Sequence, residues 1–420
     1  MRILAIANWF PPHHRGGYEI NCADVMTRMA SRGHDVEVLC SDERLPGVRE
    51  DTLDSATSIP VHRYIRLYWR DEVPWKPPVH ERLRIERANQ ASLRRVLDRF
   101  EPDVISVWHM AVMSLSLLAT IGRRDLPVVY AICDSWPTYA LQLDHWSRLF
   151  NGSALRRVVG HVCERVISTP CLLPDLGSLG HASFVSSFTW QEVQAGSPWR
   201  FQQHGIIASG IDRSNLKTDT TDGDAAPDRP WDWRLGYFGR FDPRKGTETL
   251  IRGFALLPER SSLVMYGRGG EGERERLRAL ADSLGVGARV SFGFLDSSEL
   301  GEAYRALDCV VFPSEWPEPF GLVPLEAMEC GVPVVATGVG GSADITVDGV
   351  NAVLFRAGDP ASLAEAVRRL AHDPVLRAQL VERGRHTVER YDVDLMADAY
   401  ERRFEDEIRC RGRDREHQPR

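Results

Sequence analysis

Apolar residues recur along the chain in two alternating rhythms. Residues 3–7 (Ile-Leu-Ala-Ile-Ala) form a short unbroken apolar run before a proline-containing loop at 11–17, the pattern of a strand buried on both faces. Residues 18–32 carry helical spacing that Gly33 ends, and 35–40 read as a second strand. The rhythm returns with a helix over 82–100, a strand over 104–108, a helix around Leu115 and a strand over 128–132. Strands that alternate with helices predict a parallel sheet covered on both faces.

Between 213 and 233 the pattern lapses into Asp, Thr, Ala and Pro without apolar periodicity, as in a linker between domains. A second cycle follows, with strands over 235–238, 262–266, 290–292, 309–312 and 333–336 and helices over 247–257, 273–284, 297–306 and 322–330. The fold class predicted is therefore α/β, with two doubly wound parallel-sheet domains, 1–212 and 234–394, and a cleft between them. Beyond both cycles, Tyr391, Leu395, Met396, Ala399, Tyr400 and Phe404 recur at helix spacing. A helix over 395–408 therefore needs an apolar surface to cover, expected on the N-terminal domain. Residues 409–420 are expected to be a disordered tail.

Composition agrees with this plan. A chain of 420 residues with 43% hydrophobic content can bury two cores. The net charge of -7 arises from 52 basic and 59 acidic residues spread along the chain, so nothing points to a nucleic-acid partner. Eight scattered cysteines include no C-x-x-C pair, which fits buried thiols in a reducing cytosol. The apolar start, residues 3–10, is short for a signal peptide, and no stretch approaches the length of a membrane span. The expectation is a cytoplasmic protein, with contact at the inner membrane surface left open.

The segment 313–337 carries the most chemistry. It places Glu318 in a loop after a strand and Glu326 about one turn into the next helix, so both carboxylates can face one ligand. Gly321 leaves the backbone open, and the amides of Phe320, Gly321 and Leu322 at the helix start can receive a phosphate oxygen. The segment resembles the E-x7-E signature of the retaining family-4 glycosyltransferases, whose GT-B fold sets two Rossmann-like domains face to face. The resemblance implies that Glu318 contacts the donor sugar and Glu326 the ribose of a UDP- or GDP-sugar co-substrate. It covers the second domain, continuing through Gly340-Gly341 to Phe355, and reaches the first only loosely.

Upstream, residues 237–246 end a strand in a turn with three cations. Arg240 and Lys245 stand where the family places its diphosphate-binding Arg and Lys, and preset cations stabilise a leaving diphosphate without a metal ion. Gly267, in the turn Tyr-Gly-Arg-Gly-Gly, and Phe294 resemble the family's wall around base and ribose. In the first domain, Gly16 and Gly17 follow His13-His14-Arg15 and can admit phosphate or acceptor. The two histidines read as solvated loop residues, since no acid or cysteine completes a metal set nearby.

His109 ends a strand on the expected ligand side. After the next strand the family carries His-Asp, whereas this chain has Cys133-Asp134, which leaves Asp134 as an acceptor-side group. Asp222-Gly223-Asp224 resembles a metal-binding D-x-D, but its linker setting argues against that use. The region 136–198, rich in Trp and His, is the least family-like and is expected to shape the acceptor site. No metal site and no resident cofactor are assigned. The implied reaction is metal-independent, retaining transfer of a sugar to an acceptor hydroxyl in glycan, glycolipid or glycoside synthesis, catalysed by Arg240, Lys245, Glu318 and His109. A sugar-nucleotide epimerase and a non-catalytic nucleotide-sugar binder of the same fold are the alternatives.

Overall fold

A computed structural model describes residues 1–45, 48, 59–70, 73–216, 230–270, 272–295 and 297–417. The chain forms two compact units, Met1–Ala208 with Met396–Arg420, and Ser209–Leu395.

The first unit is built on a seven-stranded sheet whose strands run, from edge to edge, Val61–Ile65, Asp35–Ser41, Arg2–Ile6, Val104–Val107, Val128–Ile132, His181–Phe184 and His204–Ile206. Every neighbouring pair is parallel. The central strands are apolar throughout because helices cover both faces; Ile3, Leu4, Ile105, Val107, Tyr130 and Ile132 are fully buried. Arg2–Ile6 and Val104–Val107 are adjacent in space but lie about a hundred residues apart in the chain. The winding direction reverses between them, the place where doubly wound sheets bind ligands.

The second unit repeats the plan with six strands in the order Val290–Gly293, Ser262–Tyr266, Arg234–Phe238, Cys309–Phe312, Val334–Ala336 and Val353–Leu354. Its reversal lies between Arg234–Phe238 and Cys309–Phe312, which pair in parallel. Two further helices, Pro360–His372 and Pro374–Val388, each start with a proline behind an aspartate cap, Asp359 and Asp373 respectively.

The last helix runs Val393–His417, well past Ile408 where the apolar spacing stops. From Met396 on it belongs to the first unit. Arg32 pairs with Asp398 at 2.6 Å and Glu401 at 2.5 Å, and Arg411 with Asp125 at 2.9 Å. The rings of Tyr400 and Trp108 pack in a tilted arrangement with centroids 5.3 Å apart. The helix expected over 297–306 is instead a 3-10 turn, Ser297–Glu299, followed by Leu300–Arg305. Residues 217–229 of the expected linker, with Asp222-Gly223-Asp224, and residues 418–420 lie outside the described residues.

Candidate functional site

In the second unit the two loops that flank the sheet's reversal point meet. Lys245, at the end of the turn after Arg234–Phe238, places Nζ 2.5 Å from Glu318 Oε1, in the loop after Cys309–Phe312. Ser314 Oγ donates to the same oxygen at 2.8 Å, and Glu318 is 6% exposed. Oε2 carries no hydrogen bond among the described residues. The turn owes its tightness to Gly246, at φ +67°, where a Cβ would stand 1.9 Å from the Pro313 carbonyl oxygen. Only glycine lets the two loops come this close.

Arg240 is exposed and makes no ion pair among the described residues. Arg244, the third cation of the turn, is committed to Asp242 at 2.7 Å and lies over the Trp316 ring. The Arg244 guanidinium holds the Asp242 carboxyl down to about 2.

Glu326 sits in helix Val323–Glu329 and accepts from Tyr304 Oη at 2.6 Å through Oε2, leaving Oε1 without a partner among the described residues. Burial raises its pKa, and the Tyr304 hydrogen bond opposes that rise. The amides of Phe320, Gly321 and Leu322 donate to no protein acceptor among the described residues. Gly321 adopts φ +99°, and Phe320 is buried against Tyr391. Gly267 follows Ser262–Tyr266; a Cβ there would meet the Gly239 carbonyl oxygen at 1.8 Å. Phe294 is half exposed and carries Arg268 over its ring at 4.2 Å. Arg240, Lys245, Gly267, Glu318 and the 320–322 amides thus all lie in segments that follow the carboxyl ends of strands in one sheet, where ligands of doubly wound domains bind.

In the first unit, Asn8 follows Arg2–Ile6 and His109 follows Val104–Val107, one on each side of that sheet's reversal point. Asn8 Nδ2 donates to His109 Nδ1 at 2.7 Å, so the proton of the neutral ring sits on Nε2, 3.4 Å from Asp134 Oδ2. Burial disfavours the charged imidazole, but the Asp134 carboxylate outweighs it and the His109 pKa is raised. Asp134 is held low: burial pushes it up, and His109, Tyr139 and the Trp136 amide more than offset that. A His–Asp pair therefore exists despite Cys133, because the preceding strand contributes the imidazole. Both ring nitrogens face protein groups, so His109 is less open to a substrate than its place at a strand end suggests.

Two expectations for the glycine loop change. His13 is not solvated but buried at 1% exposure, its Nδ1 accepting from the Leu45 amide at 3.1 Å. Gly17 opens helix Gly17–Ser31, and the Gly16 amide is already engaged by Glu19 Oε2 at 2.9 Å. Side chains without a motif of their own do much of the positioning: Asn8, Ser314, Tyr304, Tyr139 and Tyr18. The Tyr18 hydroxyl lies between the carbonyls of Trp108 and Ala131 and accepts the Cys133 amide at 3.0 Å, tying two strand ends together. Ser314 alone carried a local signal, four residues before Glu318.

A model described as Glycosyltransferase Family 4 matches residues 15–169, and one described as Glycosyl transferases group 1 matches 228–387. The D-inositol 3-phosphate glycosyltransferase of Acidothermus cellulolyticus is 43% identical over 391 residues, 87% of this chain and 80% of its own length. An uncharacterized glycosyltransferase of Methanocaldococcus jannaschii is 37% identical over 163 residues, 38% of this chain and 42% of its own. Several curated relatives match over only about two fifths of their length, as that one does. Among solved structures, Anabaena HepE in complex with UDP and glucose superposes with a TM-score of 0.68, covering 96% of this chain and 98% of its own at 23% identity. That likeness shows the fold, GT-B. With a relative this similar along most of its length and models matching both units, the chain belongs to glycosyltransferase family 4.

Proposed function

We propose that the protein transfers a sugar from a nucleoside diphosphate to an acceptor hydroxyl, with retention at the anomeric carbon and without a metal ion. The observation that carries this reading is the meeting of Lys245 and Glu318 at the reversal point, with Arg240 exposed on the same turn. Such a site offers fixed cations where a diphosphate leaves and a carboxylate oxygen where sugar hydroxyls bind. Arg240 and Lys245 stabilise the charge that develops on the leaving group, and the amides of 320–322 add donors. Glu318 Oε2 accepts from the donor sugar and Glu326 Oε1 from the ribose. Gly267 and Phe294 border the base, and Gly16 and Gly17 lie on the acceptor or phosphate side.

The departing phosphate takes the acceptor proton, so no protein nucleophile is assigned. His109 acts through Asp134, keeping that carboxylate ionised and aimed for an acceptor hydroxyl. The UDP and glucose held by HepE and the inositol phosphate named for the Acidothermus relative support a UDP- or GDP-sugar donor and a polyol acceptor. Release of nucleoside diphosphate from UDP- and GDP-sugars over an acceptor panel, with and without EDTA, tests the proposal, and the product anomer is read by NMR. Acceptor-dependent release with retained configuration in EDTA is expected. Conversion of the donor without acceptor, an inverted product, or activity lost to EDTA and restored by magnesium would overturn it.

A further inference from the structure

Helix Ala154–Ile167 in the first unit has two apolar sides, and the protein uses only one. Gly160 is buried, and a Cβ there would stand 2.7 Å from Leu172 Cδ2 and 3.1 Å from Phe150 Cβ. Cys163 and Ile167 join the same packed side, against a small core that includes Trp146, Phe150 and Leu172. A second side, roughly 120° round the helix, shows Leu155, Val158, Val159, Val162 and Val166 to solvent at 75%, 60%, 47%, 58% and 76% exposure. At about 100° per residue these five fall within an arc of roughly 100°, a continuous stripe and not scattered surface residues.

Charge frames the stripe. Arg156 and Arg165 flank it on either side, and neither makes an ion pair among the described residues. The helix's single acid, Glu164, is turned away: it accepts the amides of Cys171 and Leu172 and pairs with Arg123 at 2.8 Å. Arg156 also lines a cavity of about 420 Å³ with Lys76, Arg82, His145, Arg148 and Leu149, a lining without a carboxylate among the described residues. The field there is positive. The His145 pKa is lowered by burial and then by Arg82, Lys76 and Arg148.

We propose that this helix is the surface on which the protein docks to a bilayer of anionic lipids. The five aliphatic side chains enter the headgroup–acyl boundary, and Lys76, Arg148, Arg156 and Arg165 meet lipid phosphates. A second copy of the chain is the poorer occupant. A symmetric pairing through the stripe would bring arginines against arginines, with the one acid of each helix facing inward.

The test is flotation of the full chain with phosphatidylcholine vesicles and with vesicles of equal parts phosphatidylcholine and phosphatidylglycerol. Two variants are compared, Val162→Asp and the double Arg156→Glu/Arg165→Glu; all three sites are exposed, so thermal unfolding should be unchanged. The wild type is expected to float with the anionic vesicles only, and each variant to bind at least about tenfold more weakly. Binding should also weaken at high salt. Absence of binding to both vesicle types, or equal binding by wild type and variants, would overturn the proposal. A concentration-dependent dimer without vesicles that Val162→Asp dissolves would also overturn it and assign the stripe to a second copy.

Discussion

Lys245→Ala removes one member of a pair whose other member is deeply enclosed. Only 8% of the Glu318 side chain and 20% of the Lys245 side chain are exposed, and after truncation the carboxylate keeps only Ser314 Oγ at 2.8 Å. Stripping one partner from a buried pair costs about 3–5 kcal/mol. A fifth of the lysine is reached by solvent and water can enter the space it leaves, so about 2 kcal/mol is expected. For a unit of this size that lowers Tm by roughly 4–8 °C.

Glu318→Gln should cost less, because the ammonium it strands lies nearer to water. The double variant should recover more than half of the loss of Lys245→Ala, a coupling of about 1–2 kcal/mol. The measurement is thermal unfolding of the four proteins at neutral pH beside their donor turnover. Lys245→Ala alone should lower turnover at least about tenfold, and the double variant should regain stability without regaining turnover. A loss below about 0.5 kcal/mol for Lys245→Ala, with additive effects in the double variant, would show that the pair holds nothing in place.

Arg240→Ala should depress turnover at least about tenfold with little change in Tm, because its side chain is exposed and makes no ion pair among the described residues; equal turnover would remove it from the leaving-group site. Glu326→Ala should weaken donor binding by about 1.5–3 kcal/mol, roughly 10- to 150-fold by calorimetry, and unchanged affinity in a folded variant would exclude a ribose contact. Gly246→Ala should destabilise by at least about 2 kcal/mol in urea, since it combines a left-handed backbone with a Cβ 1.9 Å from a carbonyl oxygen; wild-type stability would refute the close approach. Glu86 is buried, accepts from Tyr68, Ser114 and Ser116, and has its pKa raised by burial and by the Asp144 charge. Folding therefore keeps a proton that the unfolded chain has released, and over the range from the ordinary glutamate pKa up to about 8 stability falls as pH rises, by up to about 1.4 kcal/mol per unit. Urea unfolding across that range should show the slope in the wild type and its loss in Glu86→Gln; an unchanged slope would place the titration elsewhere.

Local pattern is enough to place the strands Val128–Ile132 and Cys309–Phe312 at both ends, because a strand buried on both faces must be apolar at every position. It is not enough for Val61–Ile65, His181–Phe184 or His204–Ile206, whose histidines and other polar side chains are tolerated toward the sheet's margins. Glu318, Arg240 and Lys245 stand out by spacing and charge in the loops after strand ends, and Glu326 on the helix that follows one of them. Their partnerships do not: Lys245 and Glu318 are 73 positions apart, Tyr304 and Glu326 22, and Asn8 and His109 101. Periodicity records which side of an element is apolar, but not which apolar side the core will take, so only the packed helix Ala154–Ile167 separates Gly160 within from Val162 without. The amino-acid order by itself determined the alternating elements and the chemistry at their ends, because both depend on neighbours within one or two turns. The strand order decided which of those ends came together, since a parallel sheet brings distant segments side by side wherever its winding reverses.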